Sequence, residues 1–357
     1  MNEIKLLFFG STSDSVIILS HLFDVRITDY RLRISCVVTQ PPKPVGRQLV
    51  ITPTPVEIWA KQHDIPVVSF ASSAGNPSLY EREELVADTL APFKADLLVS
   101  ASYGQRIPMA RINEARFGGL NVHPSILPRW RGADPVPWAI LSGDHQIGVT
   151  VVTLSEKFDE GKIIAVKKVP MTEKDSSDPL RTHLFELGGE LLKGALADYL
   201  SGKNKGTAQA TGDNTPPPPY SRKFVRDDGF FPWEFLQMLI KGEINPNKSR
   251  PQVFAKLTID NYQAATVRAL RALSPWPGIW TKITIQREQR NDKTTKQQND
   301  KVTTQQNDML EKRLKILACH LEPTTHNLIL DSVQLEGKKP VSYDQFTQAY
   351  LKGTQAS

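Results

Sequence analysis

The chain is poor in cysteine and has no long hydrophobic run. Its 357 residues include two cysteines, Cys36 and Cys319, which form neither a metal-ligand motif nor a disulfide pattern. No stretch approaches the ~20 apolar residues of a membrane span, and the first residues, MNEIKLLFFG, lack the features of a secretion signal or a transit peptide. We therefore expect two buried packing cysteines, a cytoplasmic location and no membrane partner.

The glycine-rich motifs of nucleotide sites are also missing. Gly10 opens a turn between an apolar strand and a helical pattern. The segment GSTSDS at this turn has neither the spaced glycines of a dinucleotide fingerprint nor the full P-loop pattern. We therefore exclude a nucleotide site at this first turn.

Length and charge predict two domains of different character. A chain of 357 residues exceeds what one hydrophobic core usually supports, and 39% hydrophobic residues suffice for burial. Residues 1–205 contain 23 basic and 23 acidic side chains, so the net charge of +6 lies wholly in residues 206–357. A basic second domain fits a polyanionic partner such as nucleic acid. An ordinary basic surface is the alternative.

Alternating patterns along residues 1–202 predict an open, mostly parallel α/β sheet. Apolar strands such as IKLLFFG, ISCVVTQ, IPVVSF and ADLLVSA alternate with segments of helical spacing, which favours right-handed crossovers. Residues 203–221, with four consecutive prolines, are typical of an interdomain linker. Residues 222–357 form the predicted second domain, with helices at FPWEFLQMLI and around 262–273, then barrel-like strands with a polar insertion at 286–308.

Three side chains suited to acyl transfer follow one another between residues 95 and 161. An Asn-x-His pair, Asn121 and His123, is followed by Asp159 in FDEG. The amide can donate a hydrogen bond to a developing oxyanion, the imidazole can donate or move a proton, and the carboxylate can orient the imidazole. Each residue alone is more often a turn or cap residue. Because ligands collect beyond the carboxyl ends of parallel strands, we expect this trio and Tyr103 to share one crevice.

The sequence around the trio resembles the folate-dependent formyltransferase family. The resemblance rests on HPSILPRWRGADPVPWAILSGD, the strand IGVTVVTL and FDEG, in that order. It implies a formyltransferase-type, Rossmann-like sheet, with Asn121, His123 and Asp159 as catalytic residues. It also implies 10-formyltetrahydrofolate as the co-substrate, without a metal. The implied folate site consists of Tyr103, Gly104, Gln105, Arg106, Ile107, Pro108, Ser125, Ile126, Leu127 and Pro128.

Further segments resemble the methionyl-tRNA formyltransferase branch of this family. Residues 37–67 are similar to a loop and helix that these enzymes place beside the acceptor stem, which implies tRNA contact by Arg47 and Lys43. ALRALSPWPGIWTKI and LDSVQLEGKKPVSYDQFTQAYL are similar to their C-terminal OB-like β-barrel domain, which implies tRNA contact by Lys338 and Lys339. A solvated charged turn is the alternative for these two lysines. The implied partner is initiator methionyl-tRNA, bound by a monomeric enzyme.

The resemblance is incomplete at three places. Residues 48–51, QLVI, replace the usual basic run after the loop arginine, Asp134 replaces a small apolar residue, and Glu160 replaces a small hydroxyl residue. Such charges can shift nearby pKa values, but the trio itself is intact. The alternatives are a formyltransferase that acts on a nucleotide-linked amino sugar or on glycinamide ribonucleotide, and a tRNA-binding relative without catalysis.

Overall fold

The computed structural model divides the chain into two compact units. The first unit comprises Met1–Ala139 and Asp144–Lys223, and the second comprises Ile140–Gly143 and Phe224–Ser357. The residues described are 2–27, 29–46, 48–210, 219–243, 249–255, 257–286 and 309–351. The described parts of the predicted linker, residues 203–210 and 219–221, belong to the first unit, whereas the predicted first domain ends at residue 202.

The first unit is an α/β structure. Its strands are β1 (Asn2–Phe9), β2 (Arg26–Ile27), β3 (Tyr30–Thr39), β4 (Lys43–Val45), β5 (Val50–Thr52), β6 (Val67–Ser69), β7 (Leu97–Ser100), β8 (Gly119–His123), β9 (Arg131–Gly132), β10 (Gln146–Thr153), β11 (Ile163–Pro170) and β12 (Tyr220–Ser221). Its helices are α1 (Ser13–Leu22), α2 (Pro55–Gln62), α3 (Glu83–Leu90), a 3-10 turn (Ala91–Phe93), α4 (Met109–Glu114), α5 (Pro135–Ser142, which reaches the residues assigned to the second unit) and α6 (Ser177–Leu200).

The central sheet runs in the order β11-β10-β8-β7-β1-β3-β2, and β6 also pairs with β3. The pairs from β6 through β3, β1 and β7 to β8 are parallel, whereas β10, β11 and β2 join antiparallel. Strand β7 and the second half of β1 are buried on both faces because helices cover both, which explains their continuous apolar sequences. The predicted open, mostly parallel sheet is confirmed.

Local sequence signals explain where the helices begin. The Thr12 hydroxyl accepts a hydrogen bond from the Ser15 amide and caps α1, and the Thr54 hydroxyl caps α2 by accepting from the Glu57 amide.

Cys36 lies fully buried in β3, where burial raises the pKa of its thiol to about 12. Cys319 in the second unit is buried and free as well, so both cysteines are packing residues, as predicted.

The second unit contains an antiparallel sheet in the order β13-β14-β15-β16. Its elements are a 3-10 turn (Arg226–Gly229), α7 (Trp233–Lys241), a 3-10 turn (Gln252–Phe254), α8 (Tyr262–Leu273), β13 (Ile279–Gln286), β14 (Met309–Leu321), β15 (Leu328–Leu335), β16 (Val341–Ser342) and α9 (Tyr343–Tyr350). The two predicted helices are present, and the antiparallel strands are consistent with the predicted barrel-like domain. Apart from Gln286, the predicted polar insertion lies outside the described residues.

Helix α6 packs directly against β8, which carries Asn121 and His123, and against β10. A Cβ atom on Gly188 would lie 2.6 Å from Val122 Cγ1 and 2.9 Å from Val149 Cγ2. Gly194 in the same helix has nothing within 4 Å of its Cβ position.

Within the described residues, no helix is long and apolar enough to cross a membrane.

We expect Gly188→Ala to lower the free energy of unfolding by about 1–3 kcal/mol, because the added methyl overpacks two rigid valines. Gly194→Ala is the matched control, and it should raise the stability by about 0.5–1 kcal/mol because alanine favours the helix. Chemical denaturation followed by circular dichroism measures both effects. Equal changes at the two positions would contradict the close approach of α6 to the sheet.

Candidate active site

Strand β8 brings the first two members of the trio to one face of the sheet. Asn121 and His123 are two residues apart in this strand, so their side chains point to the same side. Asn121 pairs with Val152 and His123 pairs with Thr150 of β10, so the strand continues through His123. The backbone of Asn121 is paired on both edges, with Ser100 of β7 and with β10, whereas that of His123 is paired with β10 alone.

Asp159 completes the trio from the turn between β10 and β11. Its backbone is left-handed, with φ of 58°, and its carboxylate Oδ1 accepts a hydrogen bond of 3.1 Å from Asn121 Nδ2. The same oxygen lies 3.4 Å from His123 Nδ1, and the two side chains are only 5% and 8% exposed. The carboxylate Oδ2 accepts a hydrogen bond of 2.9 Å from the amide of Gly132. One buried carboxylate thus joins three chain segments.

The imidazole of His123 is held at its other nitrogen by a backbone carbonyl. Its Nε2 lies 2.9 Å from the oxygen of Trp130. Because a carbonyl oxygen can only accept, Nε2 carries a hydrogen and donates it. Nδ1 is therefore the ring nitrogen that faces Asp159. This arrangement fixes both the tautomer and the ring orientation.

Trp130 is itself anchored by a carboxylate. Its backbone is left-handed, with φ of 59°. The indole Nε1 donates to Asp144 Oδ2 at 2.8 Å, and Arg129 donates to both Asp144 oxygens at 2.8 and 2.6 Å. A bidentate guanidinium–carboxylate pair is among the stronger polar contacts in proteins. Asp144 therefore supports the carbonyl that orients His123.

Glycine is required at position 132, which holds the amide that binds Asp159. Its φ is 107°, and a Cβ atom there would lie 2.2 Å from the carbonyl oxygen of Ser221. Strands β9 and β12 pair at this point, with Gly132 opposite Ser221. A side chain would push this strand pair apart and withdraw the amide from the carboxylate.

The trio lines a cleft of about 840 Å³ in the first unit. The residues 102–107 line the same cleft, and Gly104 among them has a φ of 81°. Gln105 is 2% exposed, and neither its amide nitrogen nor its amide oxygen has a hydrogen-bond partner within the described part of the chain. Burial raises the pKa of Tyr103 far above its usual range and that of Tyr80 to about 12, so both phenols stay neutral.

Comparison with known proteins identifies the family. Residues 4–196 match the family described as formyl transferase. The chain belongs to the formyl transferase family. A methionyl-tRNA formyltransferase of Listeria innocua is 33% identical over 279 residues, which are 78% of this chain and 75% of that protein. One of Enterococcus faecalis is 32% identical over 266 residues, which are 74% of this chain and 80% of that protein.

A solved structure shows the same fold. The crystal structure of a 4-N formyltransferase from Francisella tularensis has a TM-score of 0.50 and covers 78% of this chain and 92% of that chain, at 15% identity. Identity this low supports the fold alone. The family match and the relatives confirm the expectation of a formyl-transferring enzyme.

The structure brings some predicted folate-site residues to the cleft and not others. Tyr103, Gly104, Gln105, Arg106 and Ile107 line it. Pro108, Ser125, Ile126, Leu127 and Pro128 are not among its lining residues. The predicted folate contact of this second group therefore has no geometric support and stays a prediction.

The segment that contains Ser125 has a visible structural role in this formyltransferase. The Ser125 hydroxyl donates to the carbonyl of Arg129 at 2.7 Å, while its own carbonyl accepts from Thr150 Oγ1 at 2.7 Å. These bonds tie the loop after His123 to strand β10. They hold the turn that delivers the Trp130 carbonyl to the imidazole.

The predicted tRNA-contacting residues lie in both units. Lys43 lines the cleft, and its Nζ donates to Gln40 Oε1 at 2.6 Å. Arg47 lies outside the described residues. Lys338 and Lys339 are exposed in the turn between β15 and β16 of the second unit. Their contact with tRNA stays a prediction.

Several supporting residues escaped the sequence analysis. Asp144 lies in SGD after a helix, which is typical of a turn. Gln209, whose amide nitrogen donates to the carbonyl of Asp159, lies in a segment with the composition of a linker. Gly132 and Trp130 lie in the quoted family segment, where nothing in the spacing marks them.

Among the described residues, no group of three or more His, Cys, Asp or Glu side chains is placed to hold a metal ion.

We expect Asp144→Asn to lower the free energy of unfolding by about 1–3 kcal/mol, because it disrupts a partly buried group bonded to Arg129 and Trp130. Asp24→Asn is the control, since Asp24 pairs similarly with Arg31 at 2.6 Å but both side chains are more than half exposed. The control should cost less than about 1 kcal/mol. Urea unfolding measures both, and equal losses would contradict the supporting role of Asp144.

Proposed function

We propose that this formyltransferase moves the formyl group of 10-formyltetrahydrofolate to the α-amine of methionyl initiator tRNA, and so supplies formylmethionyl-tRNA for translation initiation. The observation that carries the proposal is the joining of Asn121, His123 and Asp159 in one cleft. The names of the relatives support the choice of acceptor, because both are methionyl-tRNA formyltransferases.

The cleft fits a folate-type donor. Gln105 offers a buried amide donor and a buried amide acceptor without partners among the described residues, and a pterin ring carries complementary groups. A buried polar pair without partners is costly, so a ligand that satisfies both is favoured. When bound, 10-formyltetrahydrofolate supplies the formyl carbon. Gln105 with the backbone around Gly104 would hold the ring, as the family resemblance implies.

In this proposal His123 and Asp159 handle the proton of the attacking amine. The amine nitrogen bonds to the formyl carbon, the bond from that carbon to the folate nitrogen breaks, and a proton passes from the amine to the leaving nitrogen. His123 Nδ1 is the available ring nitrogen, because Nε2 donates to Trp130. Asp159 beside Nδ1 stabilises the positive charge when the ring takes up the proton.

Asn121 is suited to the negative charge that develops on the formyl oxygen. Its amide nitrogen carries two hydrogens, and one is donated to Asp159 Oδ1. The second hydrogen can point to the developing oxyanion without breaking the first bond. A preorganised donor of this kind lowers the barrier because it needs no reorganisation during the reaction.

Charge distribution supports a nucleic-acid acceptor. The excess of +6 lies in residues 206–357, and Lys338 and Lys339 are exposed there. Phosphate neutralisation by such residues contributes affinity that falls with rising salt. We propose that the protein acts on tRNA in the cytoplasm as a monomer, with Lys43, Arg47, Lys338 and Lys339 as tRNA contacts.

The direct test is formyl transfer from 10-formyltetrahydrofolate to methionyl initiator tRNA, with elongator methionyl-tRNA and an amino-sugar nucleotide as competing acceptors. We expect selective formylation of the initiator tRNA. Formylation of the sugar would refute the proposed acceptor while retaining the donor. Transfer to none of these acceptors, together with retained tRNA binding, would favour a relative without catalysis.

We expect Asp159→Asn and His123→Ala to reduce kcat by at least about 100-fold, because both remove part of the proton path. Affinity for the tRNA should stay within about threefold, whereas Arg47→Ala should mainly weaken use of the tRNA. Single-turnover transfer and filter binding separate the two effects. Equal loss of transfer and of tRNA binding in the Asp159 and His123 variants would contradict this division of roles.

A further inference from the structure

The segment after α6 returns to the turn that carries Asp159. Thr207 pairs with Ile163 at the start of β11 through two backbone hydrogen bonds of 2.8 and 2.9 Å. Asn204 adds a bond of 3.0 Å from its side-chain amide to the carbonyl of Ile164. These contacts bring Gln209, two residues beyond Thr207, beside the turn. An isolated β-bridge and a side-chain hydrogen bond thus fasten this segment to β11 of the first unit.

Gln209 uses both ends of its amide group, the nitrogen on this turn and the oxygen on Arg131 of β9. Its Nε2 donates to the carbonyl oxygens of Asp159 and Gly161 at 2.6 and 2.9 Å. Its Oε1 accepts from Nε and Nη2 of Arg131 at 3.1 and 2.7 Å. The two hydrogens on Nε2 meet two carbonyl oxygens, and Oε1 meets two N–H groups of the guanidinium. The orientation of the amide therefore follows from its partners.

The backbone of Asp159 needs such support. A left-handed conformation is unfavourable for most residues other than glycine, and it persists where the surrounding structure holds it. Asn121 and Gly132 hold the carboxylate of Asp159, while Gln209 holds its carbonyl. The side chain and the backbone carbonyl of Asp159 are therefore each held by hydrogen bonds from other chain segments.

We propose that Gln209 is a positioning residue for formyl transfer, which acts by holding the backbone of Asp159 so that the carboxylate stays beside Asn121 and His123. This role rests on the proposed function of the trio. The amide nitrogen, which donates to the carbonyls of Asp159 and Gly161, holds the backbone of Asp159. The amide oxygen, which accepts from Arg131, anchors the Gln209 side chain. The active site is thus incomplete without the segment that follows α6.

Two substitutions separate these parts. Gln209→Glu keeps an acceptor for Arg131 but has no hydrogen to donate to the carbonyls of Asp159 and Gly161. Gln209→Met keeps the length of the side chain and removes both functions. Lys205→Ala is the control, because Lys205 is an exposed residue of the same segment.

We expect both Gln209 variants to lower kcat by about 10- to 100-fold, because a displacement of about 1 Å at a reacting group can cost this much. KM for the acceptor should change by less than about threefold, and Lys205→Ala should match the wild type. A Gln209→Glu variant with wild-type kcat would overturn the proposal, because the Arg131 contact would then suffice. Changes confined to KM, or to the fraction of folded enzyme measured by thermal unfolding, would overturn it as well.

A second measurement does not depend on the substrate. Nuclear magnetic resonance of the labelled histidine rings, with His123 assigned from the His123→Ala spectrum, reports the surroundings of Nδ1. Both Gln209 variants should shift the His123 signals, and Lys205→Ala should not. Unchanged His123 signals would overturn the proposal. If the wild type transfers no formyl group while the His123 signals still shift, the proposed function fails and the positioning of Asp159 stands.

Discussion

The buried carboxylate of Asp159 is the constraint on which the rest of the site depends. A buried carboxylate is costly unless donors or cations satisfy its oxygens. Here Asn121 and the amide of Gly132 supply hydrogen bonds, and His123 lies 3.4 Å away. These donors come from β8 and β9. The carboxylate therefore reaches its position only when the sheet, the loop after His123 and the turn before β11 all adopt their native conformations.

The central sheet meets this requirement through the position of β8. This strand pairs in parallel with β7 and antiparallel with β10, so it joins the parallel part of the sheet to an antiparallel hairpin. Because β10 is antiparallel to β8, it ends opposite Leu120, and the turn after it brings Asp159 beside Asn121 and His123. Asp159 reaches His123 for this reason, although 36 positions separate them in the sequence.

The sequence predicts most of this fold and part of the site. Apolar strands and capped helices have local causes, so β1, β3, β7 and α1 follow from their own residues. The trio follows from the family resemblance. Asp144 and Gln209 could not be found in this way, because their roles depend on distant partners and their local composition indicates a turn and a linker. The left-handed backbones of Trp130 and Asp159 have no local signal either.

Glu160 shows how the same network accommodates a departure from the family pattern. A second carboxylate directly after Asp159 would add unfavourable negative charge beside the trio. Arg131 counters it, since its Nη1 lies 3.4 Å from Glu160 Oε1 while its Nε and Nη2 bond to Gln209. The Arg131 side chain is 11% exposed and that of Glu160 is 41% exposed, so water screens part of this pairing. One guanidinium thus balances the added charge and anchors the amide that holds Asp159, which explains why the departure leaves the trio assembled.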